Sequence, residues 1–221
     1  MRPQVKRLHD QVYLVTCKDP VDLSMLFLTY QEFYESPSPK FRNNPNFDIL
    51  KFIEWYSKDH CHNFTYPTDW SGFNVPSHVF DAVRSENRYT KKFKNLIKKR
   101  IKPFLPSKDA RFYILGALGD DTKTLDHEMA HAMYYIDPAY KSKADCWLAV
   151  YDNVYQDLKK VLISIGYAEE VCLDEAQAYL STGTVEDIDK FFDENKTEGV
   201  KDCIAELEKN FQTFKQMIFK E

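Results

Sequence analysis

No apolar run in this chain approaches the roughly 20 residues needed to cross a bilayer as a helix. A membrane-spanning protein is therefore not expected. The five cysteines are scattered, odd in number and without a CxxC pair, which reads as reduced thiols and not as a disulfide framework. Met1-Arg2-Pro3-Gln4-Val5-Lys6-Arg7 leads into no apolar stretch, so a secretory signal is not expected. There is no excess of positive charge either. The net charge is −4, which gives no general pull toward nucleic acid. Internal repeats and flexible linkers are lacking too.

What is there is the composition of a globular protein. Of 221 residues, 43% are hydrophobic and 15% aromatic, enough for one domain, or two close lobes, around a sizeable core. Together these features predict an intracellular, cytoplasmic enzyme. One local exception to the charge balance is the segment 88–105, with Lys91, Lys92, Lys94, Lys98, Lys99, Arg100 and Lys102 around an apolar stripe of Phe93, Leu96, Ile97 and Ile101. Such a helix can bind a membrane surface or nucleic acid. The acidic balance elsewhere favours a plain solvated face.

Chemistry concentrates in His127-Glu128-Met129-Ala130-His131. On a helix, positions i and i+4 are neighbours one turn apart, so both imidazoles can share one metal ion, with the intervening glutamate able to take a proton from metal-bound water. The context is helical. Asp120-Asp121-Thr122 is rich in helix-starting residues, Leu125, Met129, Ala132 and Ile136 form an apolar stripe, and Pro138 ends the segment. His127, His131 and Tyr134 share the other face.

A catalytic zinc usually has three protein ligands and one open position. Glu175 is the leading third candidate. Val171, Cys172, Ala178 and Tyr179 lie three or four residues away, which puts Glu175 on the inward stripe of its helix. An inward carboxylate needs a compensating partner, and a metal provides one. A carboxylate in the first turn of a helix, favoured by its dipole, is the other reading. Asp174 points about 100° away and suits support of a histidine, or plain solvation. Asp137 is an alternative ligand, six residues after His131, but Tyr134 stands where a turn glycine would be needed, so Asp137 reads as a helix-end residue. His9 and His78 lie upstream. His60-Cys61-His62 offers a second cluster, more simply read as solvated loop histidines.

With His127, Glu128 and His131 followed by Glu175 on a later helix, the sequence resembles the zincin metallopeptidases, in the gluzincin branch with a glutamate third ligand. The resemblance covers roughly 111–180. Tyr179 stands where many gluzincins carry an acidic residue four positions after that glutamate, and the interval from His131 to Glu175 is longer than in the thermolysin-like pattern. The resemblance implies a strand just before the metal helix, at the edge of the sheet along the cleft, with which an extended substrate pairs. The β-rich run 111–118 suits it, and Gly116 would allow another backbone to approach. The expected fold is α+β and zincin-like: a small sheet with that edge strand, and a mostly helical C-terminal half. One domain is expected, with an N-terminal lobe at 1–121, a helical lobe at 122–221 and the metal site at their junction.

Periodicity predicts a first strand at 12–16 and helices at 21–34, 47–57, 144–165, 185–193 and from 200 onward, with the aromatic stretch 64–76 as a loop and a short helix opening at 76. His127, His131 and Glu175 would hold one Zn²⁺ per chain, and Glu128 would act as general base on a zinc-bound water attacking a peptide carbonyl. Tyr134, Tyr135 and Tyr179 are candidates to stabilise the oxyanion. Tyr179 is preferred because it lies one turn beyond Glu175, although the same position suits a core tyrosine. The expected function is a zinc metallopeptidase acting on a peptide or protein substrate. A non-catalytic zinc domain that binds a partner, and a zinc hydrolase of a non-peptide amide, are the alternatives. The presence of Glu128 favours catalysis, since zinc binding alone needs no base there.

Overall fold

The computed structural model describes residues 3–58, 62–107, 109–118, 122–183, 192 and 198–219. It is an α+β protein in which one small sheet lies in the N-terminal half and helices make up the C-terminal half. By density of internal contacts the chain divides into two compact units, Met1–Thr124 and Leu125–Glu221.

In the first unit, β1 (Gln4–His9) and β2 (Val12–Cys17) form an antiparallel hairpin. Helix α1 (Pro20–Glu35) follows, with Pro20 at its start and the Asp19 carboxylate accepting from the N–H groups of Val21 and Asp22. Asp48 similarly accepts from Leu50 and Lys51 N–H at the head of α2 (Ile49–Lys58). Phe52 is buried there, whereas Leu50 is 73% exposed. Then come α3 (Tyr66–Asp69), β3 (Gly72–Pro76), α4 (Ser77–Ala82), α5 (Arg88–Arg100) and β4 (Tyr113–Leu118). Lys91, Lys92, Lys98 and Lys99 of α5 are exposed, Lys94 donates to Val83 O, Phe93 and Ile97 are buried, and Asn87 closes a capping box with Thr90.

Two strands were not expected. β1 is mostly polar, and it becomes a strand by pairing with β2. β3 lies inside the stretch read as a loop, bounded by Gly72 and Pro76, and pairing with β4 defines it. These partners lie far off in sequence or lack an apolar signal, so local pattern misses them.

The sheet order β1-β2-β4-β3 corrects a further expectation. The strand before the HExxH helix is present, but β4 is internal, parallel to β2 (Val12↔Tyr113) and antiparallel to β3 (Asn74↔Leu115). Both of its hydrogen-bonding sides are used within the sheet, so it has no free edge for a substrate. β3 is an edge strand but a blunted one. Its Asn74 N–H donates to Gln31 Oε1 at 3.0 Å, and Pro76 on the same side has no N–H to offer.

Gly116 also differs from expectation. A side chain approaches it, not another backbone. A Cβ built there would lie 2.7 Å from Cε2 and Cζ of the Phe27 ring and 3.1 Å from Phe73 Cβ. Phe27 is fully buried among Phe73 and Phe93, so it has little room to retreat. Gly116→Ala is expected to destabilise the first unit by about 1–3 kcal/mol through overpacking. Urea denaturation followed by tryptophan fluorescence checks this. An unchanged midpoint would mean that the ring moves freely.

The second unit contains most of α6 (Thr122–Ile136), then α7 (Pro138–Val150), α8 (Asp152–Ser164), α9 (Cys172–Thr182) and α10 (Val200–Ile218). Asp137 caps α7, accepting from Ala139 N–H at 2.8 Å and Tyr140 N–H at 3.0 Å. The expected single helix over 144–165 is two helices, parted at Tyr151 (φ −106°, ψ 49°). The apolar spacing runs through the break. Asp152 and Asn153, however, favour helix starts over interiors, and Asn153 Nδ2 donates to Glu198 O at 2.8 Å. Gly166, at φ +109°, follows the end of α8. Leu148, Leu158, Leu162, Ala176, Leu180 and Leu207 are among the residues of one buried cluster that joins α7 to α10. The helix expected at 185–193 lies outside the described residues apart from Phe192. Among the described residues, no helix is long and apolar enough to cross a membrane.

Candidate metal centre

Helices α6 and α9 bring three ligating groups together. His127 and His131 sit one turn apart on α6, and Glu175 comes from the first turn of α9. Their Nε2, Nε2 and Oε2 atoms form a small triangle. The two nitrogens are 3.2 Å apart, and Glu175 Oε2 lies 3.8 Å from His127 Nε2 and 3.7 Å from His131 Nε2. A point equidistant from the corners of a triangle with those sides lies about 2.1 Å from each. Zinc–nitrogen and zinc–oxygen bonds are about 2.0–2.2 Å long. Among the described residues this is the group able to hold a metal ion. All three ligands belong to the second unit.

Burial adds a second observation. His131 is 1% exposed and Glu175 3% exposed. Glu175 Oε2 is buried and has no hydrogen-bond donor among the described residues. A buried carboxylate oxygen without a donor is costly, and a cation at the centre of the triangle removes that cost. The donor set of two imidazoles and one carboxylate is one that zinc accepts, with a position left over. His127 keeps 21% of its side chain exposed, so the site is open on that side.

The outward nitrogens of both histidines are also engaged. His131 Nδ1 lies 2.8 Å from Asp174 Oδ1. A carboxylate accepts only, so the imidazole donates from Nδ1 and presents Nε2 to the ligand triangle. On His127, Nδ1 lies 3.5 Å from Thr182 Oγ1, whose own proton goes to Ala178 O at 2.7 Å. The threonine oxygen is thereby left to accept from His127 Nδ1, and His127 Nε2 also faces inward. Asp174 thus has the supporting place that its helix angle suggested. Thr182, and the Gln177 that donates to Asp174 at 3.0 Å, were not anticipated. The sequence signal for Gln177 was its spacing of one turn from Asp174 on the same helix.

Glu128 is buried, 6% exposed, and its charge acts on His131. Tyr179 is less simple than a free hydroxyl beside the site. Its ring stands edge-on to His127, 4.7 Å between centroids, and its hydroxyl lies 3.2 Å from that of Tyr167. Tyr134 is turned to other work. Its hydroxyl donates to Asp145 at 2.5 Å and accepts from Lys141, and burial with that carboxylate pushes its pKa far up. Asp137 is spent on capping α7. His78 is exposed in the first unit with its ring edge-on to Tyr34, and partial desolvation lowers its pKa. His60 and Cys61 lie outside the described residues.

Burial works to lower the pKa of His131, but Asp174, Glu175 and Glu128 overcome it, and the net shift is well upward. The 3.2 Å gap between the two Nε2 atoms suits a shared proton as well as a shared metal. Metal and proton therefore compete. With the pKa raised, protonation of His131 in metal-free protein contributes stability that is complete below the ordinary histidine value and lost as pH rises through the raised one. Metal affinity runs the opposite way. It should climb about tenfold per pH unit for one displaced proton, through neutrality and up to the raised value. Calorimetry of zinc binding at pH 7 in buffers of different ionisation enthalpy reads the proton release directly. Release of no proton would contradict the assignment.

No protein-family model, curated protein or solved structure matches this chain, so the functional argument rests on the geometry of the site itself.

Proposed function

We propose that this protein is a zinc-dependent metallopeptidase of the zincin type. The observation that carries the reading is the convergence of His127, His131 and Glu175 to ligand distance, with the Glu128 carboxylate on the same helix as the two histidines. Three protein ligands leave zinc one position for water, and when bound the metal supplies Lewis acidity there. Asp174 and Thr182 hold the two imidazoles with Nε2 inward. Glu128 accepts a proton at its carboxylate and returns it to the departing amine. Its burial in a site of low dielectric favours that transfer over loss of the proton to solvent.

The oxyanion donor in this reading is Tyr179, by its position beside His127. Its effect on rate is expected to exceed its effect on substrate binding. An extended substrate has no free edge to pair with at β4, which is internal, or at β3, which is blunted. The test is hydrolysis of an unstructured protein substrate by zinc-loaded full-length chain. Activity should disappear with a chelator and return with zinc near one equivalent. Zinc bound at that stoichiometry without hydrolysis of any peptide would favour a partner-binding domain or a hydrolase of another amide.

A further inference from the structure

Behind Asp174 the hydrogen bonding continues into the core. Asp174 Oδ1, the atom that accepts from His131, also accepts from Gln177 Nε2 at 3.0 Å. Gln177 Oε1 in turn accepts from the Tyr140 hydroxyl at 2.8 Å. Gln177 and Tyr140 are both fully buried. The chain runs from α7 through α9 to the histidine on α6, and every link has a fixed direction. The Asp174 carboxylate can only accept, so it takes the amide nitrogen of Gln177, and the amide oxygen is left to accept from the Tyr140 hydroxyl. The reversed amide would set its oxygen against the carboxylate.

We propose that Gln177 and Tyr140 are positioning residues for the metal centre. They hold the Asp174 carboxylate in the one orientation that fixes the His131 tautomer, with Nδ1 protonated and Nε2 directed at the metal. This rests on the metal reading above and extends it to residues that touch neither metal nor substrate. The sequence alone offers no reason to keep a glutamine and a tyrosine buried at these places. Core packing would be served as well by methionine and phenylalanine. The polar pair is explained if its purpose is the orientation of a carboxylate beneath a ligand.

A double-mutant cycle on the full-length chain, read as zinc affinity by competition with a chromogenic chelator, tests this. Gln177→Met removes both links at nearly constant volume and should weaken zinc binding by about 10-fold, at the low end of the range for lost outer partners of a ligand. Tyr140→Phe should weaken it by a few-fold. The decisive arm is the double variant. Tyr140 acts on the metal through Gln177, so Tyr140→Phe should have no further effect on zinc affinity in the Gln177→Met background. A second readout is the His131 imidazole in the zinc-loaded protein by nitrogen-15 NMR. Its protected Nδ1–H signal should be present in the parent and broadened by faster exchange in both single variants. General loosening of the core would give additive losses and leave that resonance unmoved. If Gln177→Met does not fold, Tyr140→Phe in the Asp174→Asn background carries the same cycle, again with no added effect expected. Parent-like zinc affinity in Gln177→Met, or additive losses in the double variant, overturns the proposal while the metal reading stands. Absence of zinc binding in the parent overturns the metal reading itself.

Discussion

Glu128→Gln is expected to lower peptide hydrolysis by roughly 10²–10⁴, the range for loss of a positioned general base, while zinc content stays near one per chain. The substitution keeps the size of the side chain and much of its hydrogen bonding. It removes only the capacity to take a proton from bound water. Glu128 is buried on the same helix as both histidines, so a neutral amide should be accommodated there without disturbing the ligands. The comparison separates chemistry from architecture. Parallel measurement of metal content and hydrolytic rate reads it, and full activity in the variant would remove Glu128 from the mechanism even with zinc in place.

Glu175→Ala should have the largest effect on the metal. It deletes one corner of the ligand triangle, and the loss of affinity should exceed the roughly 10–100-fold typical of residues that only support a ligand. His131→Ala should lose metal and activity together. Asp137→Ala is the contrasting control. Its carboxylate accepts from Ala139 and Tyr140 N–H at the head of α7, so the variant should keep its zinc and lose about 1 kcal/mol of stability with the cap. Metal analysis after dialysis distinguishes the two. Metal retained in Glu175→Ala and lost in Asp137→Ala would exchange their roles.

The legibility of the site in the sequence follows from helix geometry. His127, Glu128 and His131 are set by the spacing of one helix, and the inward turn of Glu175 and the sideways turn of Asp174 follow from the apolar stripe of α9. Asp137 beside Pro138 reads as the end of α6 for the same local reason, whereas its capping of α7 was not legible because that helix was expected to start only at 144. The other relations that were not legible depend on contacts between distant segments. β1 and β3 are strands because of their partners, not because of their own pattern. β4 becomes internal only when both β2 and β3 pair with it. The break at Tyr151 is hidden by apolar spacing that continues on both sides. The spacing of Gln177 from Asp174 is local to α9, but Tyr140 gains its meaning only when α7 and α9 pack together.

Cleavage profiling of a proteome-derived peptide library, with the zinc-loaded parent beside the zinc-loaded Glu128→Gln protein, tests the central claim most directly. New peptide termini are expected from the parent, abolished by chelation, restored by zinc, and reduced to a small residue in the variant. Equal cleavage by both proteins, or no cleavage by a parent that holds zinc at His127, His131 and Glu175, would contradict that claim.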